Sequence, residues 1–119
     1  MKKIIVTGGM GFIGSNLVRE LISCNYKVLN IDSITYAATL DTLKDLESNE
    51  NYLFKKVNIT NYFQLVKIFK DFCPNKVIHL AAETHVDRSI ESPINFLETN
   101  IIGTFNLLDI SYKYWAENN

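Results

Sequence analysis

Cysteine and proline are scarce in this chain, with two of each among 119 residues. Cys24 and Cys73 stand far apart, in no C-x-x-C pair and with no histidine at ligand spacing. A disulfide scaffold and a zinc module are therefore excluded as organising principles. Charge of one sign is lacking too. Twelve Lys+Arg against 13 Asp+Glu leave a formal net charge of −1, which provides no footprint for nucleic acid or an anionic membrane surface. No apolar run approaches the ~20 residues of a membrane span. Ile4-Ile5-Val6 after Lys2-Lys3 is too short for the apolar stretch of a signal peptide. A reducing compartment, the cytoplasm, is expected, and Asn58-Ile59-Thr60 is then a chance sequon.

What is present is core-forming material. Hydrophobic residues make up 47% and charged residues 21%, enough for one small domain and too apolar for a disordered tail. Short β-branched runs alternate with helical patterns. Lys3-Ile4-Ile5-Val6 is continuous and stopped by glycine, as a strand buried on both faces reads. Ile13, Leu17, Leu21 and Ile22 recur at helical spacing, with Arg19 and Glu20 expected to face outward. Lys27 to Ile31 is a second strand ending at Asp32, and Leu40, Leu43 and Leu46 mark a small helix. Tyr52 to Val57 is a third strand.

Asn61 and Gln64 form a capping pair for a helix that turns Leu65, Ile68, Phe69 and Phe72 inward and stops before Pro74. Lys76 to Leu80 is a fourth strand, and one long helix is expected from about Ile94 to Tyr114. Strands and helices alternating without hairpins imply an α/β fold, a parallel sheet with right-handed crossovers and helices on both faces. By analogy with the doubly wound pattern the strand order is 3-2-1-4.

The first strand turns into the first helix through Thr7-Gly8-Gly9-Met10-Gly11-Phe12-Ile13-Gly14. Glycine serves three needs at such a turn: a sharp bend, close approach of backbone to a pyrophosphate, and tight helix–strand packing. The helix N-terminus adds N–H donors and a partial positive charge. The doubled glycine permits two readings, GxGxxG from Gly9 or GxxGxxG from Gly8. A phosphate loop is ruled out, because no Gly-Lys-Ser/Thr follows. Asp32 lies 18 residues after Gly14, close to the ~20 of a ribose-binding acid. Its charge would repel a 2′-phosphate, so NAD is favoured over NADP. A purely structural turn and a solvated loop acid would explain the two features separately. Together they make a dinucleotide the expected ligand.

The GxxGxxG spacing, with Thr7 before it and Phe12-Ile13 inside it, resembles the extended short-chain dehydrogenase/reductase family. The stretch from His79 to Ile90, HLAAETHVDRSI, is similar to the signature of nucleotide-sugar 4,6-dehydratases, those acting on dTDP-glucose above all. Asp32 to Ala37 and Thr99 to Thr104 share the likeness, which runs along essentially the whole chain. It implies NAD as cofactor, a nucleotide-sugar substrate and a homodimer.

It also implies roles by position. Gly8, Gly11, Phe12, Ile13 and Gly14 would meet the pyrophosphate, and Asp32, Ser33, Ile34 and Thr35 the adenosine ribose. Asn58 and Ile59 would border the adenine. Leu80, Ala81, Ala82, Glu83 and Thr99 would line the cofactor toward the nicotinamide, with Thr84 at the sugar. Asn58 stands where the family usually carries Asp and keeps an acceptor for an amino group. Thr84 stands where Ser is usual and keeps the hydroxyl.

The implied reaction oxidises the glucose by transient hydride transfer to NAD and eliminates water. It uses a Tyr-x-x-x-Lys pair on one helical turn and a Thr-Asp-Glu run, both beyond the long helix. The chain has no Thr-Asp-Glu. Its one Tyr-x-x-x-Lys, Tyr52 to Lys56, falls in a strand, where residues four apart span about 13 Å. No catalytic residue is therefore assigned, and the chain alone is expected to be inactive. Two alternatives stay open. One is the same portion of a UDP-glucose 4,6-dehydratase or 4-epimerase, and the other a non-catalytic NAD-binding module needing a partner. His79 is expected to be a hydrogen-bonded core residue, Tyr112, Tyr114 and Trp115 an exposed aromatic patch, and the fourth strand an open edge.

Overall fold

The computed structural model describes residues 1–33, 42–81 and 93–118. Strands β1 (Lys3–Thr7), β2 (Lys27–Asp32), β3 (Tyr52–Lys56) and β4 (Lys76–His79) form one parallel sheet in the order β3-β2-β1-β4. Helix α1 (Phe12–Ser23) links β1 to β2, and α2 (Tyr62–Phe72) links β3 to β4. A final helical arm comprises α3 (Pro93–Leu97), a π-helical stretch (Glu98–Gly103) and α4 (Thr104–Glu117). The strand order is the one expected, and β4 lies at one edge of the described sheet.

Parallel strands must leave the sheet and return, so helices come to cover both faces. In central β1, Thr7 stands beside Ile31 on one side and His79 on the other. The period of two sends Ile5, with Leu29 and Ile31, toward α2 and α4, where Phe69, Leu107 and Ile110 close one core. Ile4 and Val6, with Val28, meet Val18 and Leu43 on the other face. Such a strand has no solvent side, which is why β1 reads as an unbroken apolar run.

Helix α2 follows expectation closely. The Asn61 side chain accepts from Gln64 N–H at 3.2 Å, and Leu65, Ile68, Phe69 and Phe72 are buried. Cys73 ends the helix in the left-handed region at φ 57°, and Pro74 cannot continue it.

Elsewhere the structure corrects the reading. In α1 Leu17, Leu21 and Ile22 pack against the core as expected, but the fully buried residues are Gly14, Ser15 and Val18, and Ile13 is 70% exposed. Two small residues let the first turn lie close on the sheet, and that phase turns Ile13 outward. Arg19 does not simply face solvent. Its guanidinium contacts Asp45 at 2.8 Å and the Thr42 carbonyl, tying α1 to the 42–46 segment. The small helix there is a single 3₁₀ turn, Lys44–Leu46, beside buried Leu43, and Leu40 lies outside the described residues.

The long helix is interrupted by the π-helical stretch, whose last residue, Gly103, faces the core together with Asn106, Leu107 and Ile110 of α4. The expected aromatic patch is only partly there. Tyr112 is 76% exposed, but Tyr114 packs edge-on against Phe69 and Trp115 Nε1 donates to the Pro74 carbonyl. The exposed apolar stripe of the arm is instead Ile94, Leu97, Ile101, Phe105, Leu108 and Tyr112.

Candidate functional site

The carboxyl ends of β1, β2 and β4 bring Thr7, Asp32 and His79 to one edge of the sheet, and the glycine loop crosses it. Gly8 adopts φ +74°, a left-handed conformation that side chains disfavour. A Cβ there would also meet Ala81 N at 2.7 Å, so the Leu80–Ala81 backbone rests directly on this turn. Gly14 packs against the backbone of Gly8 and Gly9, where a Cβ would collide with the Gly8 carbonyl. These two glycines serve the bend and the helix–strand packing.

Side chains of β2 hold the rest of the loop. Gly9 N–H donates to Asn30 Oδ1 at 3.0 Å, and Asn30 Nδ2 donates to Tyr52 Oη at 3.2 Å. Asn30 is fully buried, so these bonds offset the cost of keeping an amide in the core. Met10 N–H donates to Asp32 Oδ2 at 3.0 Å. The loop therefore orients the acid, and the acid steadies the loop.

Gly11 differs from its neighbours. It is the N-cap of α1 at φ −75°, and a Cβ there would come only within 3.5 Å of the Gly8 carbonyl, an ordinary contact. Neither strain nor internal crowding calls for glycine. Beyond it, the first-turn amides of Phe12, Ile13 and Gly14 have no acceptor within the helix. Phe12 is 86% exposed. The helix end thus offers backbone donors and its positive dipole end beside an outward-facing aromatic ring.

The remaining expected residues are placed unevenly. Ser33 follows β2, half-buried. Both lone pairs of Asn58 Oδ1 go to Thr60, to its N–H at 3.0 Å and its hydroxyl at 2.9 Å. The acceptor foreseen for an amino group is thus already engaged, and the amide Nδ2 is left as a donor. The Ile59 side chain is 3% exposed within the core, and its carbonyl accepts from Asn106 Nδ2 at 3.0 Å. Any border it forms is made by backbone. Leu80 and Ala81 leave the end of β4 over the glycine loop, and Thr99 sits half-buried in the π-helical stretch. Ile34, Thr35, Ala82, Glu83 and Thr84 lie outside the described residues.

Sequence reasoning missed Asn30, whose signal was a lone amide inside Val28-Leu29-Asn30-Ile31. It also missed what the Thr7 hydroxyl does. Leu80 and Ala81 N–H donate to Thr7 Oγ1 at 3.0 and 3.1 Å. Tyr52 is buried in β3, and burial pushes its phenol above the ordinary value, the opposite of what a catalytic base needs. Among the described residues, no cluster of three or more His, Cys, Asp or Glu could hold a metal ion, and no helix is long and apolar enough to cross a membrane.

A glycine loop bonded to the acid that ends β2, at the carboxyl edge of a parallel sheet, defines a Rossmann-type α/β domain. The model of the family described as GDP-mannose 4,6 dehydratase matches residues 5–119, and the chain belongs to that family. It is 48% identical over 118 residues to the dTDP-glucose 4,6-dehydratase of Neisseria meningitidis serogroup B, a match covering 98% of this chain and 33% of that protein. The crystal structure of dTDP-glucose 4,6-dehydratase from Bacillus anthracis in complex with NAD superposes with a TM-score of 0.83 at 36% identity, covering 96% of this chain and 34% of that one. A UDP-glucose 4-epimerase from Thermotoga maritima, solved with UDP-glucose, gives 0.80 at 38% identity, covering 94% and 34%. The chain spans about a third of the length of the curated relatives it matches.

Proposed function

We propose that this chain binds NAD and forms the cofactor-binding part of a nucleotide-sugar enzyme of the dTDP-glucose 4,6-dehydratase type. The observation that carries this reading is the Met10 N–H to Asp32 carboxylate bond. It puts the acid suited to a ribose diol on the same wall as the loop suited to a pyrophosphate. Gly11, with no internal reason to be glycine, gives that pyrophosphate room, and the amides of Phe12 and Ile13 offer donors. The Asp32 charge disfavours a 2′-phosphate, hence NAD rather than NADP. Bound NAD supplies a reversible hydride acceptor for sugar oxidation.

Turnover needs a base that Tyr52 does not supply, since it is sealed in β3 with its hydroxyl on Asn30. The curated relatives favour a dTDP-sugar dehydratase. The likeness to a UDP-glucose 4-epimerase keeps that enzyme type as a second reading. The exposed stripe on the helical arm supports a contact with a second subunit.

Calorimetric titration with NAD⁺ tests the reading, with NADP⁺ and Asp32→Ala in parallel. Saturable NAD⁺ binding, at least about tenfold weaker for NADP⁺ and for the variant, is the expected result. Equal binding of both dinucleotides, or binding indifferent to Asp32, would reject it.

A further inference from the structure

His79 is half-buried at the end of β4, and its ring touches two threonines. Nδ1 lies 2.6 Å from Thr7 Oγ1, and Nε2 lies 2.8 Å from Thr104 Oγ1. Which nitrogen carries the proton follows from Thr7. Its hydroxyl oxygen already accepts from Ala81 N–H and, shared with the Thr7 carbonyl, from Leu80 N–H. Backbone amides can only donate, so both lone pairs are engaged and the hydroxyl proton is left to point at Nδ1. Nδ1 therefore accepts. The neutral ring carries its proton on Nε2 and donates it to Thr104.

This chain of bonds joins β1, β4 and α4 to the backbone that rests on Gly8. A second proton on Nδ1 would place N–H against O–H at 2.6 Å. The hydroxyl can turn its lone pair to the ring only by giving up an amide. Leu80 keeps the Thr7 carbonyl as acceptor at 3.0 Å, so Ala81 is the amide released.

We propose that His79 is a positioning residue, locked as the Nε2–H tautomer between Thr104 and Thr7, and that its protonation frees Ala81 and loosens that wall of the dinucleotide site. The proposal rests on reading the site as one for NAD. Burial alone depresses the ring's proton affinity. Among the described residues, the charged groups of the elements around it are directed elsewhere. Lys3 and Lys76 lie at the opposite ends of β1 and β4, and Asp109 is held by Tyr62 and Lys113. The locked form therefore holds above the ordinary histidine value of 6.5 and is lost only as pH falls below it.

Long-range imidazole spectra of the ¹⁵N-labelled chain at about pH 7.5 test the tautomer, with His79→Asn identifying the ring against His85. Expected are a bare Nδ1 and a protonated Nε2; a protonated Nδ1 overturns the proposal. On acidification, Ala81 hydrogen exchange relative to its intrinsic rate should rise about tenfold with the His79 midpoint, while Ile5 stays protected. A ring that titrates while Ala81 stays protected, or Ile5 protection lost at the same midpoint, also overturns it. The exchange readings need only the unsubstituted chain. NAD⁺ affinity should fall with the midpoint of the His79 titration, by about tenfold once the pH lies roughly one unit below it, and be flat in His79→Asn. Tautomer and exchange as expected with no NAD⁺ binding at either pH would uphold the positioning role and reject the NAD reading.

Discussion

Asn30 Oδ1 accepts the Gly9 N–H at 3.0 Å from inside a strand with no solvent access. One buried amide in β2 thus fixes a loop that belongs to β1, and its other end fixes Tyr52 of β3. Three neighbouring strands are stitched together just where the sheet meets its candidate ligand.

Replacing that amide should be costly. Asn30→Leu orphans the Gly9 N–H and the Tyr52 hydroxyl in the core, and we expect a loss of about 2–3 kcal/mol. Urea unfolding of the two proteins measures it. A loss below about 0.5 kcal/mol would mean that the loop finds other partners.

Gly14 and Gly11 should part company. Gly14→Ala drives a methyl into the Gly8 carbonyl and should destabilise by about 2 kcal/mol or more. Gly11→Ala meets only an ordinary contact and should leave the unfolding midpoint within about 0.5 kcal/mol of the parent. The same variant should weaken NAD⁺ at least about tenfold, because the methyl occupies the approach to the helix end. Undiminished NAD⁺ binding by Gly11→Ala would place the pyrophosphate elsewhere.

Tyr52 gives the chain an alkaline limit. Burial is the largest influence raising its phenol, the Asp32 and Glu47 charges add to it, and the Asn30 bond works against it. The folded protein keeps this proton at pH values where the unfolded chain has lost it. Stability from Tyr52 is therefore complete below the ordinary value of 10.0 and declines as pH rises through the raised one. Tyr114, packed on Phe69, is raised by burial as well, so difference absorbance at the phenolate band should show two late-titrating tyrosines, of which Tyr52→Phe removes one. Titration of all six tyrosines as one ordinary class would contradict this.

The stripe on the arm should matter for association and not for folding. Leu108 and Ile101 are exposed, so Leu108→Glu and Ile101→Glu should each change stability by no more than about 0.5 kcal/mol. If a second subunit covers the stripe, sedimentation should show a dimer that either substitution dissociates. A parent that stays monomeric at high concentration rules out that contact.

Much of this architecture was legible in residue patterns. β1 announced itself because a strand covered on both faces must be apolar throughout. The inward face of α2 was readable for a related reason, since Leu65, Ile68, Phe69 and Phe72 are bulky and recur at the helical period. Gly8 through Gly14 and Asp32 could be picked out because few residue types fit those positions.

Other features had no local signature. Ile13 fits the apolar period of α1 as well as Val18 does, yet the close seat of Gly14 and Ser15 on the sheet turns it outward. Tyr114 and Tyr112 are the same residue two positions apart, and only the placement of Phe69 beneath α4 buries one of them. Asn30, Thr7 and His79 look unremarkable until the parallel register sets Thr7 beside His79 and folds Gly9 back over Asn30. Patterning follows from each residue's own chemistry and its near neighbours. Hydrogen bonds between residues 21 to 74 positions apart exist only once the sheet has brought their strands together.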